Sequence, residues 1–427
     1  MKIPPVKGTR DFYPPDMARR NWIIDGWKKV SVRNGFEEYD GPIFEYLKMF
    51  QIKSGDEIVD QLFSFNDRGG RDLALRPEIT PTLARMVNQQ INSLPKPIKW
   101  FSVPRLFRAE RPQKGRLREF FQWNIDIIGV DDVLADAEVI FTTVDYLRSV
   151  GLKHTDVRVK ISSRKLLASS LKNIGIQETQ LASLYPLLDK YSKIPSDTFE
   201  KMLAEQVSDE SIAEKIIDFM GTTTLSEVSE IIGTNAEVED AVQELARLKE
   251  LLEQMGVWRY CDFYPGIVRG LAYYTGVVFE VYEFARELRA ICGGGRYDNL
   301  LNDFGGPQMP ATGMGMGDCV LGILLDERGL FKPEQKQLDY FVAFVDEAYR
   351  QNAIKLTMKL RSAGLAANFS YKAAKLSRQL KQASEQNARK CIIIGEEYQK
   401  NQLVIKDMTT GKQELVKIDE FLAQLNC

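Results

Sequence analysis

Residues 99–129, KWFSVPRLFRAERPQKGRLREFFQWNIDIIG, decide the fold class. Apolar pairs Trp100-Phe101 and Leu106-Phe107 run up to a charged, proline-containing turn at Pro112–Arg116, and the stretch after it alternates strictly. Phe121, Trp123, Ile125 and Ile127 point one way; Gln122, Asn124 and Asp126 point the other, because successive side chains of a strand leave opposite faces. This is a β-hairpin with one apolar and one polar face. A wet face of an antiparallel sheet accounts for the polar side; so does the floor of a polar binding site. Arg108 and Glu110, two residues apart, are expected to share a face with Gln122 and Asp126. Guanidinium groups there suit phosphoryl oxygens, with which they form paired hydrogen bonds.

Outward from the hairpin, the texture is mixed. Pro14-Pro15-Asp16 starts an amphipathic helix carrying Met17, Ile23, Ile24, Trp27 and Val30, stopped by Asn34-Gly35. Short β-rich runs at 36–44, 62–65 and 72–75 precede a helix over 80–92. From about 165 to 256 the chain is rich in Leu, Ala, Glu and Lys, and is expected to form a helical insertion. Strand signals return at 277–282 and 289–292, and Gly313-Met314-Gly315-Met316-Gly317 leads into a helix ending near Glu327. After a polar linker at 331–337, strand and helix alternate, which predicts a small α/β domain with a mainly parallel sheet over 338–427. Two domains, 1–331 and 338–427, also suit a chain of 427 residues, longer than one core usually serves.

Composition narrows the chemistry. With 57 basic and 59 acidic side chains the net charge is −2, so any nucleic-acid contact must use local patches. The 14 Lys/Arg and 10 Asp/Glu from Leu338 onward give +4, leaving −6 elsewhere. Five scattered cysteines without a C-x-x-C pair argue against a disulfide framework or a thiolate zinc site and suit a reducing compartment. The single histidine, His154, leaves no material for a Ser-His-Asp triad or a multi-histidine metal centre. No apolar run approaches the roughly 18 residues that cross a bilayer, and Met1–Pro15 does not resemble a signal peptide. Cytoplasmic residence is the expectation.

Four further motifs give the hairpin its context: Lys7-Gly8-Thr9-Arg10-Asp11, Leu75-Arg76-Pro77-Glu78, Val268-Arg269-Gly270-Leu271-Ala272-Tyr273-Tyr274-Thr275-Gly276 and Gly293-Gly294-Gly295-Arg296-Tyr297-Asp298. Their order and spacing resemble the signature set of histidyl-tRNA synthetases, and the resemblance runs over nearly the whole chain. It implies an α+β fold: a class II synthetase antiparallel sheet with flanking helices and a helical insertion, then a C-terminal α/β anticodon-binding domain. It further implies ATP, with Mg²⁺ carried on its phosphates, L-histidine and tRNA(His) as partners, and a homodimer.

Matched position by position, the resemblance gives Arg108 the α-phosphate, Glu110 the adenine, Arg116 the outer phosphates and Phe120 a stacking place on adenine. Arg269 would neutralise charge on the α-phosphate during attack. Glu78 would bind the amino group of histidine, with Gln122, Asp126, Tyr273 and Tyr274 completing its pocket. Gln113 would meet the acceptor end of the RNA. In the tail, Lys372, Lys375, Arg378 and Lys381 recur every three residues, which predicts a basic stripe on one helix side beside Phe369 and Tyr371. Two positions depart from the family: Ala272 stands where Asp is usual, and Gly317-Asp318-Cys319-Val320 where Gly-Leu-Glu-Arg is usual. The alternatives are a synthetase-like regulatory subunit of ATP phosphoribosyltransferase, a group that generally lacks the anticodon-binding domain, and a catalytically inactive histidine- or RNA-binding paralogue.

Overall fold

The computed structural model describes residues 3–54, 61–191, 193–268, 274–285, 288–333, 337–372 and 374–425. It divides into two compact units, Met1–Pro333 and Glu334–Cys427.

Pro14 opens α1 (Pro14–Arg33), and Gly35, at φ +78°, ends it where a left-handed residue is needed. Strands β1 (Glu37–Glu38), β2 (Phe44–Tyr46), β3 (Ser64–Asn66) and β4 (Asp72–Leu75) follow, with α2 (Leu47–Ser54) between β2 and β3. The run expected over 36–44 is thus mostly irregular. Next come α3 (Thr80–Gln90) and the hairpin strands β5 (Ile98–Ser102), β6 (Arg105–Phe107) and β7 (Glu119–Ile128), then α4 (Val133–Ser149) and β8 (Val157–Ser163).

The insertion consists of α5 (Arg164–Asn173), α6 (Glu178–Leu188), α7 (Ser196–Gln206), α8 (Glu210–Gly221), α9 (Leu225–Ile232) and α10 (Ala236–Gln254). Its helix starts are written in the sequence: Ser163, Asp209, Thr224 and Asn235 each accept a backbone N–H of the first turn that follows. Beyond it lie β9 (Cys261–Phe263), β10 (Val277–Glu283), β11 (Cys292–Arg296), α11 (Leu300–Asp303), β12 (Ala311–Gly317) and α12 (Asp318–Glu327).

The main sheet runs β1-β5-β7-β12-β11-β10-β8-β9, with β6 also on β7. The interior pairs are antiparallel, as expected, but both edges are parallel: β1 to β5 and β8 to β9. The alternation of β7 is realised. Phe121, Trp123, Ile125 and Ile127 join the main core with Trp27 and Val30 of α1 and Val139, Ile140 and Val144 of α4. Trp27 and Trp123 stack at 6.3 Å, and Trp123 Nε1 donates to Ser31 Oγ at 2.8 Å, so the indole N–H stays satisfied inside the core. A smaller core on the opposite face is built on Leu83 and Val87 of α3, and Ile79 just before it, with Ile98, Ile128 and Val278. The polar side chains of β7 open onto that face.

The second unit holds β13 (Leu338–Phe344), α13 (Arg350–Ser362), β14 (Ala367–Phe369), α14 (Leu376–Glu385), β15 (Ala388–Ile394), β16 (Gln402–Asp407), β17 (Gln413–Lys417) and α15 (Ile418–Leu425). Its sheet order is β14-β13-β15-β16-β17. Only β14-β13-β15 is parallel; β16 and β17 add an antiparallel hairpin, which corrects the expected mainly parallel sheet. The signal for it was present: Gly411 at φ +75° closes a turn in which Asp407 Oδ1 accepts the N–H groups of Thr409 and Thr410.

No helix among the described residues is long and apolar enough to cross a membrane. Among them, Cys261, Cys292, Cys319 and Cys391 are free thiols.

Candidate active site

The polar face of β7 is the floor of a cavity of about 720 Å³. Gln122, Asn124 and Asp126 line it, and the glycines of β12 clear the space above them. A β-carbon on Gly315 would stand 2.8 Å from Gln122 Nε2, and one on Gly313 would overlap the Asp126 carboxylate. The Gly-Met-Gly-Met-Gly run is therefore two patterns in one: methionines to the core, glycines to the cavity. Asp126 is 4% exposed, and Tyr297 Oη donates to its Oδ1. Asn124, also buried, donates to Gln122 O at 3.2 Å. The polar face is enclosed rather than wet.

Above the floor stands the loop between β6 and β7. Arg108 and Glu110 lie past the end of β6 rather than within it, because regular pairing stops at Phe107 and one further bond, Arg108 N to Arg118 O at 2.9 Å, closes the ladder. Both still line the cavity. The Arg108 guanidinium sits 5.0 Å from the Phe120 ring centre, and its Nε donates to Pro77 O at 3.2 Å. Glu110 is ion-paired with Arg116 across the loop. Glu78 lines the same cavity at the start of α3. Arg76 fixes that segment: nearly fully buried, it donates to Asp40 Oδ1 at 2.7 Å and to Gly41 O at 2.8 Å.

The N-terminal motif braces the loop from outside. Gly8 O accepts Arg118 N at 2.9 Å. Arg10 pairs with the buried Asp318 at 2.7 Å, and the other Asp318 oxygen accepts Phe121 N at 2.9 Å. Val320, which also lines the cavity, is the seat on which the loop rests: a β-carbon on Gly115 would come within 3.0 Å of Val320 Cγ2. The loop, with Arg116 on it, thus packs directly against the position where an arginine is usual.

The cavity therefore gathers Glu78, Arg108, Glu110, Arg116, Phe120, Gln122, Asp126 and Tyr274. Arg269, Ala272 and Tyr273 lie outside the described residues. Gln113 is exposed at the loop tip, bridged to Arg116, and does not line the cavity.

A family model described as histidyl-tRNA synthetase matches residues 8–317, and one described as anticodon binding domain matches residues 339–427. This chain belongs to the histidyl-tRNA synthetase family. A chloroplastic/mitochondrial histidine–tRNA ligase of Arabidopsis thaliana is 39% identical over 419 residues, covering 98% of this chain and 86% of its own length. A histidine–tRNA ligase of Opitutus terrae is 39% identical over 425 residues, covering 98% and 97%. The crystal structure of histidyl-tRNA synthetase from Nostoc sp. superposes with a TM-score of 0.82 at 24% identity, covering 100% of this chain and 99% of that one. The class II synthetase fold, with its helical insertion and a second sheet-bearing unit, is the architecture described above.

Some lining residues of this synthetase-family cavity escaped the sequence reading. Glu280 and Tyr282, hydrogen-bonded to each other, face it from β10, where their spacing of two repeats the period of the polar stripe on β7. Tyr297, within a motif already singled out, holds Asp126. Asp189 and Lys193 enter from the helical insertion, and nothing in their local sequence marks them. In the tail, α14 begins at Leu376, so Lys372 and Lys375 precede it and only Arg378 and Lys381 of the expected stripe are helical. All four are exposed.

Proposed function

We propose that the chain activates L-histidine with ATP to histidyl-adenylate and transfers the histidyl group to the 3′ end of tRNA(His). The observation that carries the reading is the meeting of Glu78, Arg108, Glu110, Phe120, Gln122, Asp126 and Tyr274 on one cavity in a member of this family. Adenylation brings a carboxylate onto a phosphorus already surrounded by anionic oxygens, so fixed guanidinium groups stabilise the transition state more than the ground state. Arg108 and Arg269 take that role, Arg116 turns from Glu110 to the outer phosphates, and Glu110 and Phe120 receive the adenine. Neutral imidazole offers one donor and one acceptor. A set of Asp126, Gln122 and the tyrosines selects it, because a side chain lacking either group leaves polar partners unpaired.

No cluster of three metal-ligating side chains occurs among the described residues. Glu110 and Glu280 are already engaged by Arg116 and Tyr282. Mg²⁺ is therefore assigned to the ATP phosphates, where it supplies charge neutralisation. Gln113, Lys372, Lys375 and Arg378 are assigned to the RNA. The match of residues 339–427 to an anticodon-binding domain favours the ligase over the regulatory-subunit alternative. The enzyme works as a homodimer in the cytoplasm.

Histidine-dependent exchange of pyrophosphate into ATP, followed by charging of tRNA, tests the whole. Arg108→Ala and Arg269→Ala are each expected to lower the exchange rate about a hundredfold or more, the scale for removing one preorganised charge-stabilising group. Exchange retained in Arg269→Ala would defeat the mechanism, and absence of exchange in the parent would defeat the function.

A further inference from the structure

Two of the side chains lining the cavity belong to the insertion rather than to the catalytic sheet. Asp189 and Lys193 stand at the corner after α6, where Lys193 Nζ donates to Asp189 Oδ2 at 2.6 Å. One turn earlier on the same helix is Tyr185, and 3.7 Å from its ring centre lies the guanidinium carbon of Arg164. Arg164 is the first residue of α5, directly after β8, and only 7% exposed. Burial depresses its pKa, while Tyr185 and Asp189 offset part of that loss. Among the described residues it forms no ion pair. Buried charges without a carboxylate are uncommon in proteins, and packing alone at this place would be served by leucine or methionine.

The backbone contacts give the arginine a use. Its main-chain N–H donates to Gly276 O at 2.8 Å, and its Nη1 reaches Val268 O at 3.4 Å. Val268 and Gly276 lie on either side of the cavity residue Tyr274 in sequence. The residue thus meets the chain on both sides of Tyr274, by its main chain at Gly276 and by its guanidinium at Val268, and the flat face of the same guanidinium lies on α6, just before Asp189. Lysine keeps the main-chain bond but cannot make both side-chain contacts, since an ammonium has neither the fork nor the stacking surface.

We propose that Arg164 is a positioning residue through which the helical insertion forms part of the amino-acid activation site, so that the insertion contributes to the first half-reaction with no RNA present. The inference rests on the reading of the chain as a histidine-activating ligase. Its test is pyrophosphate exchange without tRNA in Arg164→Lys, Tyr185→Leu and Tyr185→Phe. Arg164→Lys and Tyr185→Leu should each lower kcat about tenfold or more, with KM for ATP within threefold of the parent and denaturation midpoints little changed. Tyr185→Phe, which keeps the ring, should restore the parent's kcat. Amide hydrogen exchange gives a readout that needs no activity: in Arg164→Lys it should quicken both at 187–190 and at 267–268. Folded Arg164→Lys and Tyr185→Leu enzymes with the parent's kcat overturn the proposal, as does Tyr185→Phe as damaging as Tyr185→Leu. If the parent itself shows no exchange, it is the proposed function that fails; faster amide exchange at both segments then upholds the tie, and unchanged exchange overturns it.

Discussion

Arg296 and Asp136 show how much of this site depends on single residues far apart in sequence. Arg296 of the glycine-rich motif pairs with Asp136 on α4 through two nitrogens, and donates to Val130 O at 3.1 Å and Asp132 O at 3.0 Å. The partners are 7% and 1% exposed. Burial pushes the Asp136 carboxyl up to about 6, against the opposing pull of Arg296. Arg296→Met leaves that carboxylate buried alone, and should destabilise the fold by about 3–5 kcal/mol. An Asp136→Leu, Arg296→Met double variant should recover much of the loss. Because the folded pKa lies above the unfolded one, the contribution of Asp136 is intact below the unfolded value and is lost as pH rises through the folded one. Without Arg296 the folded pKa climbs further, so the deficit of Arg296→Met should be larger at pH 8 than at pH 5. Urea melts at the two pH values decide it, and an equal deficit at both would refute the assignment. The motif made Arg296 visible in the sequence, but Asp136, 160 positions away, carried no mark. The same holds for Asp126, whose place followed from strand alternation, and its partner Tyr297, 171 positions on, which did not.

At the scale of elements, legibility followed length and period. The ten residues of β7 and the twenty of α1 announce themselves by alternation and by proline and glycine punctuation, whereas β1 and β2 are two and three residues long and carry no period. Those short strands matter all the same. The sheet β2-β4-β3 leaves Ile43, Phe44, Tyr46 and Phe65 exposed by 48%, 51%, 56% and 43%, with Phe44 and Phe65 edge to face at 6.2 Å. Contiguous apolar surface of this kind is characteristic of an association face, and it is the face we assign to the proposed homodimer. A Phe44→Asp, Phe65→Asp variant should halve the mass measured by light scattering at micromolar concentration, while its circular dichroism stays that of the parent. A double variant that remains dimeric would move the interface elsewhere. Sequence reading could not find the patch, because Phe44 and Phe65 look like core residues until the partner strands are known.

For the whole molecule, charge divides as function would. The tail from Leu338 carries +4 and the rest of the chain −6, so attraction to RNA is concentrated in the unit that matches an anticodon-binding domain. Within it, Lys372, Lys375 and Arg378 are exposed just before and inside the first turn of α14, near Tyr371, which is 66% exposed and packs on Phe369 at 5.1 Å. An open aromatic ring beside cations suits a single-stranded RNA loop, whose bases stack while its phosphates pair. Lys381 is set apart by its pairing with Glu385 at 3.7 Å. Reversing the other three charges, Lys372→Glu, Lys375→Glu and Arg378→Glu together, should raise KM for tRNA about tenfold or more. Histidine-dependent pyrophosphate exchange, which needs no RNA, should stay within about twofold of the parent. Each lost phosphate contact to a single strand should also flatten the dependence of log affinity on log salt by about 0.7. Three lost contacts would make that slope shallower by about 2, a change that fluorescence titration resolves. Charging of tRNA by the triple variant with the parent's KM and salt slope would exclude this surface as the RNA contact. Loss of exchange along with charging would show instead that the tail acts on the catalytic unit, and would assign its basic surface a different role.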